Sequence, residues 1–331
     1  MATSPILAVA PLGAQWPTLD PFLFCAHHDD QYPAGNDQLG PAASLAGRDL
    51  GQDFAGKDGW RMYHGETVPG FPQHPHRGFE TVTIVRSGLI DHSDSLGATA
   101  RFGHGDVQWL TAGKGISHCE MFPLVNAAQP NPAELFQIWL NLPAKDKLVE
   151  PHFTMFWDRT IPRVETPGAI VRVIAGSLDK TQPPTPPPSS WASRAESDLG
   201  IWTIKLQPGA SFTLPPAHPT SNRVLYLFRG EATIADQKIG ANHGVQVKPD
   251  VAIAITASSE TEILVLQGKP IGEPVAQHGP FVMNTRQEIE QAFADYQRTR
   301  FGGWPWSKDD PVHPRDEGRF AKHADGRIER A

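Results

Sequence analysis

The chain has 331 residues, 39% hydrophobic and 20% charged, with a net charge of −7. That length accommodates two domains of roughly 120–160 residues each, and an acidic balance with no Lys/Arg run excludes a broad electrostatic footing on nucleic acid or an anionic membrane. No window approaches a membrane span, two cysteines make no disulfide framework, and 30 glycines with 32 prolines fit short strands and many turns.

Met1 to Pro11 lacks a basic region and a sustained apolar core, so no signal peptide is expected and the default location is cytoplasmic. Residues 12–70 are irregular, with Gly, Pro, Asp and Gln interrupting every apolar run and one early strand near Phe22-Leu23-Phe24. His27 and His28, beside Asp29 and Asp30, read there as exposed loop residues. The pattern then sharpens into candidate strands at Phe79–Val85, Leu89–Asp94, Val107–Thr111, Ile116–Met121 and Leu135–Leu142, separated by glycine turns. Such short, closely spaced strands indicate an antiparallel sandwich or barrel. A parallel sheet would need crossovers of a dozen or more residues, and the chain has no room for them.

A second β unit follows, with strands expected at Ile170–Ile174, Ile201–Leu206, Arg223–Phe228, Glu231–Ile234, Gly244–Lys248 and Thr261–Gln267. Each half has a strand ending at a glycine that opens another strand, at Gly88 and at Gly230, a faint repeat that favours two copies of one architecture. The proline-rich stretch Gln182–Pro188 reads as an extended surface loop. Thr285 starts a helix, with Glu288 as its capping-box partner and Ile289, Phe293 and Tyr296 as an apolar stripe. Beyond Phe301 the chain is Gly-, Pro- and charge-rich, and its last dozen or more residues are expected to be disordered.

Chemistry concentrates at His74-Pro75-His76 and His118-Cys119-Glu120. Each triplet sets two possible ligands at i and i+2, on one face of a strand. Two such strands facing each other inside a barrel could hold one metal, and imidazole with carboxylate suits Fe(II), Mn, Co, Ni, Cu or Zn. Pro75 cannot donate to a ladder, so its strand belongs at an edge or entrance. Glu80 shares the parity of His74 and His76, so two ligand sets compete: the three histidines with Glu120, or with Glu80. One bulge between His76 and Glu80 would reverse the latter. Cys119, out of phase with His118 and Glu120, reads as a buried inert thiol.

The runs His74-Pro-His-Arg-Gly-Phe-Glu-Thr-Val-Thr83, Asp106-Val-Gln-Trp-Leu-Thr-Ala-Gly-Lys-Gly-Ile-Ser-His-Cys-Glu120, Gln137-Ile-Trp-Leu-Asn-Leu-Pro143 and Gln277-His-Gly-Pro-Phe-Val-Met-Asn-Thr285 resemble the pirin family of bicupins. The resemblance implies an all-β protein of two jelly-roll-type cupin barrels with a C-terminal helix packed on them. It divides the chain into residues 1–165 (metal barrel with a long N-terminal loop region), 166–283 (second barrel, without metal) and 284–331 (helix and tail). It also implies His74, His76, His118 and Glu120 as ligands of a single metal, iron by preference, with Glu80 a neighbour that is not a ligand. In agreement with a second barrel that has lost its site, the run Pro215–Thr220 has one histidine, His218, and no His-x-His pair. The chain departs from the common pattern in a longer region between Phe24 and Phe71, which could narrow the barrel mouth, and in Arg86-Ser87 before Gly88, where many relatives carry an acidic residue.

Family members show quercetin 2,3-dioxygenase activity, opening the central flavonol ring with O2 and releasing carbon monoxide. The expectation is therefore a dioxygenase acting on flavonols or a related enolic or aromatic substrate, with Glu120 as proton acceptor and Glu80 as its runner-up. Phe79, Phe102, Trp109 and Phe122 are candidate aromatic contacts. The alternative from the same resemblance is a non-enzymatic, iron-dependent redox sensor that binds a protein partner. A monomer is expected, without direct nucleic-acid or membrane partners.

Overall fold

The computed structural model describes residues 4–331, and they fold into two compact units. One comprises residues 27–137, 144–158 and 273–331; the other comprises the chain up to Ala26 with 138–143 and 159–272. Among the described residues no helix is long and apolar enough to cross a membrane.

The first unit carries the histidine motifs, and its strands are numbered here. They are β1 (Phe22–Tyr32), β2 (Gly70–His76), β3 (Phe79–Ser87), β4 (Leu89–Asp94), β5 (Thr99–Gly103), β6 (Val107–Thr111), β7 (Ile116–Met121), β8 (Asn131–Asn141), β9 (His152–Phe156), β10 (Ala276–His278), β11 (Phe281–Met283), β12 (Phe320–Lys322) and β13 (Ile328–Arg330). β1 and β8 continue beyond this unit, which holds only their residues 27–32 and 131–137. One sheet runs β9-β6-β3-β8-β1 and ends at the two-residue strand Gln15–Trp16; the other runs β13-β12-β5-β4-β7-β2. Val85, Leu110, Leu135 and Phe153 from the first sheet pack with Ile90, Ala100, Phe102 and Ile116 from the second to form the core.

The chain changes sheets between β2 and β3, at Gly78. Its φ is +84°, and a Cβ there would lie 1.9 Å from the Val282 carbonyl oxygen, so only glycine fits. Helix α1 (Arg286–Thr299) carries the expected capping box, with the Glu288 carboxylate accepting from Thr285 N–H at 2.8 Å. It packs Ile289, Ala292, Phe293 and Tyr296 on Phe281, Met283 and Phe301.

The other unit has a seven-stranded sheet in the order Ile6–Pro11, His243–Val247, Asn222–Arg229, Thr261–Gly268, Gly200–Leu206, Ala169–Ala175, Arg163–Thr166. A four-stranded sheet completes it, in the order Ser211–Leu214, Ile253–Ala257, Glu231–Ile234, Gln237–Gly240. Between them lie Val171, Trp202, Ile204, Leu225, Ile234, Val245, Ile255 and Val265, an apolar filling. His218 is exposed on a loop, with Nδ1 2.9 Å from the Thr220 hydroxyl.

Three expectations change. The units are not consecutive: Ile6–Pro11 pairs with His243–Val247 of the second half, and residues 273–331 belong with the metal-motif half. The tail is ordered, because Phe320–Lys322 pairs with β5 and the Arg101 guanidinium donates to the Pro314, Glu317 and His313 carbonyls. His27 and His28 lie within β1, not in a loop.

Candidate metal centre

β2 and β7 do not face each other across the barrel; they are antiparallel neighbours, with His74 opposite His118 and Phe71 opposite Glu120. The register shifts between Phe71 and His74, a bulge that inserts one extra residue. Phe71 and His74 therefore share a face although an odd number of positions separates them. β2 is the edge strand, which accommodates Pro75, and the tail covers it where Gln73 N–H donates to the Asp309 carbonyl at 2.8 Å.

The structure brings His74, His76 and His118 together, with one ring nitrogen from each within 4.8 Å of the others. Their ring centroids are 4.5 Å (His74–His118), 4.8 Å (His74–His76) and 4.9 Å (His76–His118) apart. Burial, reinforced by the neighbouring rings, holds His76 and His118 well below the ordinary imidazole range; burial likewise brings His74 down to about 4. At neutral pH all three are uncharged and each offers a lone pair. His74 Nδ1 lies 2.8 Å from the Pro72 carbonyl, which fixes the proton there and leaves Nε2 as the free donor atom.

His118 is completely buried, and among the described residues neither of its nitrogens has a hydrogen-bond partner. An imidazole carries an N–H and a lone pair, so this is costly unless a ligand occupies the site. Glu120 is 4% exposed, with Oε2 4.0 Å from His118 Nε2. Burial pushes its carboxyl up, a shift that a cation beside it would reverse. Three neutral imidazoles with one carboxylate are a donor set that fits a divalent first-row metal.

Glu120 is itself held. Gln137 Nε2 donates to its Oε2 at 3.0 Å, and the Thr83 hydroxyl is 3.1 Å from its Oε1 and 2.5 Å from Gln137 Oε1. His92 on β4 pairs across from Glu120; its ring is 5.5 Å from His118, stacks on Phe153, and places Nε2 3.1 Å from Asp94 Oδ2. Thr83 and Gln137 stand within the family-like runs, but their strand parity alone gave them no role. His92 is legible only in hindsight, as an i, i+2 pair with Asp94. Gln108, opposite Thr83 on β6, is completely buried, and among the described residues its amide has no partner.

Glu80 is placed elsewhere. β3 pairs with β6 without a bulge, so Thr83 and Glu80 point to opposite faces of their sheet, and Glu80 Oε1 accepts from the Thr111 hydroxyl at 2.7 Å. The change of sheet at Gly78 removes the parity that linked Glu80 to His74 and His76. Trp109 shares the Glu80 face and lies 6.1 Å from Phe156. Of the other aromatic candidates, Phe79 approaches His76 at 5.1 Å, Phe122 approaches Phe71 at 6.1 Å, and Phe102 is core. Cys119 is a free, buried thiol packed with Leu39, Val68 and Met121, away from the ligand face.

His27, Asp29 and Glu134 also converge. Arg86 already donates to Glu134 Oε1 at 2.9 Å, the same oxygen that His27 Nε2 approaches at 2.9 Å. A guanidinium inside the cluster makes it an ion-pair network.

Residues 7–140 match the family model described as Pirin, and residues 201–302 match that of the Pirin C-terminal cupin domain. A Pseudomonas aeruginosa protein carried provisionally as a quercetin 2,3-dioxygenase is 38% identical over 237 residues, 70% of this chain and 79% of that one. Human pirin is 35% identical over 250 residues, 72% of this chain and 80% of its own. A crystal structure of quercetin 2,3-dioxygenase from Acinetobacter baumannii superimposes with a TM-score of 0.73 at 26% identity, covering 91% of this chain and 99% of that one.

Proposed function

This chain belongs to the pirin family, and from that premise we propose that it is a metal-dependent dioxygenase of the quercetin 2,3-dioxygenase type. His74, His76, His118 and Glu120 would hold one metal, with Fe(II) the proposed species. The observation that carries this reading is the triad of neutral imidazoles beside Glu120, two of them buried, with both His118 nitrogens unpartnered among the described residues. When bound, such a metal supplies Lewis acidity and a redox path toward O2.

The chain's own residues do the rest. His74 is half-buried while His76, His118 and Glu120 are buried, so a substrate reaches the site from the His74 side. Glu120 is the acceptor for the proton of a flavonol 3-hydroxyl. The Thr83 hydroxyl has one proton, and its shorter contact directs it to Gln137 Oε1, so its oxygen can accept from Glu120 once Oε1 is protonated. Gln137 keeps Oε2 oriented throughout.

The test is oxygen uptake by anaerobically Fe(II)-loaded protein on addition of quercetin, with His118→Ala in parallel. Uptake matched by flavonol loss and absent in the variant is the expected result. No uptake with one iron per chain would sink the quercetinase reading and leave a metal-dependent binding role.

A further inference from the structure

The segment between Phe24 and Phe71 builds a hydrogen-bonded chain that the metal site does not use. His28 and Asp30, two apart on β1, both reach the Tyr63 phenol: His28 Nδ1 is 2.7 Å from its oxygen, and that oxygen donates to Asp30 Oδ2 at 2.6 Å. Arg61 fixes the other Asp30 oxygen at 3.0 Å. A phenol has one proton. Since Tyr63 gives it to Asp30, the contact with His28 uses the imidazole N–H, and His28 is left with a lone pair on Nε2. Burial first, then His27 and Arg61, lower His28 to about 3, so this lone pair is free of a proton at neutral pH.

The position is built deliberately. Tyr63 sits at φ 56°, a left-handed conformation costly for an aromatic residue, and its backbone is clamped on both sides by Asp53, at 2.9 and 3.0 Å. Asp53 is in turn held by Arg48 at 2.8 Å. Phe71 links this chain to the metal site: its ring is 5.0 Å from Tyr63, 6.0 Å from His28 and 6.3 Å from His74. His28, Phe71 and His74 are all half-buried.

Resting on the proposed function, we infer that His28 is a specificity-determining residue: its Nε2 accepts a hydrogen bond from a hydroxyl on the end of the substrate remote from the metal. The site then selects polyhydroxylated aromatic substrates over those with a bare remote ring. Asp30 and Tyr63 are positioning residues that hold the imidazole in the accepting tautomer.

The experiment is calorimetric binding to Zn(II)-loaded protein, because zinc has no redox chemistry to consume the ligand. The probes are quercetin and 3-hydroxyflavone, which keeps the metal-directed hydroxyl and lacks the others. Wild type is expected to favour quercetin by about tenfold, the worth of one neutral hydrogen bond. His28→Phe should bind the two alike, and His28→Gln, which returns an acceptor oxygen, should recover part of the preference. Thermal melts report whether each variant is folded. Equal binding by wild type, a preference that survives in His28→Phe, or no binding of either flavonol would overturn the assignment. A preference lost in His28→Phe while Fe(II)-loaded wild type opens no flavonol ring would leave it standing and sink the oxygenase reading alone.

Discussion

Arg77 and Asp295 form a 2.9 Å ion pair that ties the residue after His76 to α1. The Arg77 guanidinium also lies 4.6 Å from the Phe301 ring centroid, and its Nε donates to the Lys114 carbonyl at 2.6 Å. The edge strand that carries His74 and His76 is thereby fastened to the helix that follows the second barrel in sequence.

That pair gives stability a defined pH dependence. Hydrogen bonds from Arg77 and then Arg298 lower the Asp295 carboxyl from the ordinary 3.8 to about 2. A depressed carboxylate stabilises the fold fully above its unfolded value, and the gain fades as pH falls from 3.8 through about 2. Allowing for solvent screening, Asp295→Asn should cost about 1 kcal/mol at pH 7. In urea unfolding the gap to wild type should narrow at pH 3; a gap independent of pH would remove the ion pair as its cause.

His118 predicts an inverted response to substitution. Without metal, its two unpartnered nitrogens make it a poor core residue, so His118→Leu should unfold at or above the wild-type midpoint. Adding Fe(II) anaerobically at a hundred times its Kd should stabilise wild type by about 2.7 kcal/mol and the variant not at all. An equal metal response in both would show that the ion binds elsewhere.

The support of Glu120 should be visible in metal affinity. Gln137→Leu removes the 3.0 Å donor to Oε2, and loss of such an orienting bond should weaken the metal by about 10- to 100-fold. Titration against a competing chelator measures this, and an unchanged affinity would make Gln137 a bystander.

The two carboxylates of the motif region should separate cleanly. Glu120→Gln should abolish flavonol turnover. Glu80→Gln keeps an acceptor for Thr111 on the far face of the sheet, so turnover per bound metal should stay within about twofold while the melting temperature drops modestly. Loss of turnover in metal-replete Glu80→Gln would return Glu80 to the mechanism.

Much of this was legible in residues that signal locally. Leu89–Asp94, Val107–Thr111 and Ile116–Met121 begin and end where alternation and glycine turns set them, and Thr285 with Glu288 marks the helix start. The His74/His76 and His118/Glu120 pairs announced a shared face because a strand's period is two. What escaped was non-local. No pattern in Ile6–Pro11 names His243–Val247 as its partner, and none in Phe320–Lys322 names β5. The β1 run Ala26-His27-His28-Asp29-Asp30-Gln31 looks like loop because its inward positions, His28 and Asp30, are polar and find their partners, Tyr63 and Arg61, more than thirty residues on. Glu80 misled because parity holds only while a strand stays in one sheet.

The interleaving of the chain ends has a consequence for biosynthesis. The barrel with the histidine motifs takes β12 and α1 from the last sixty residues, while the other barrel takes its edge strand from the first dozen. β12 and α1 are synthesised after residues 159–272 of the other unit, although His74, His76, His118 and Glu120 emerge before them. A gene cut between the two halves would yield two fragments that each lack a strand.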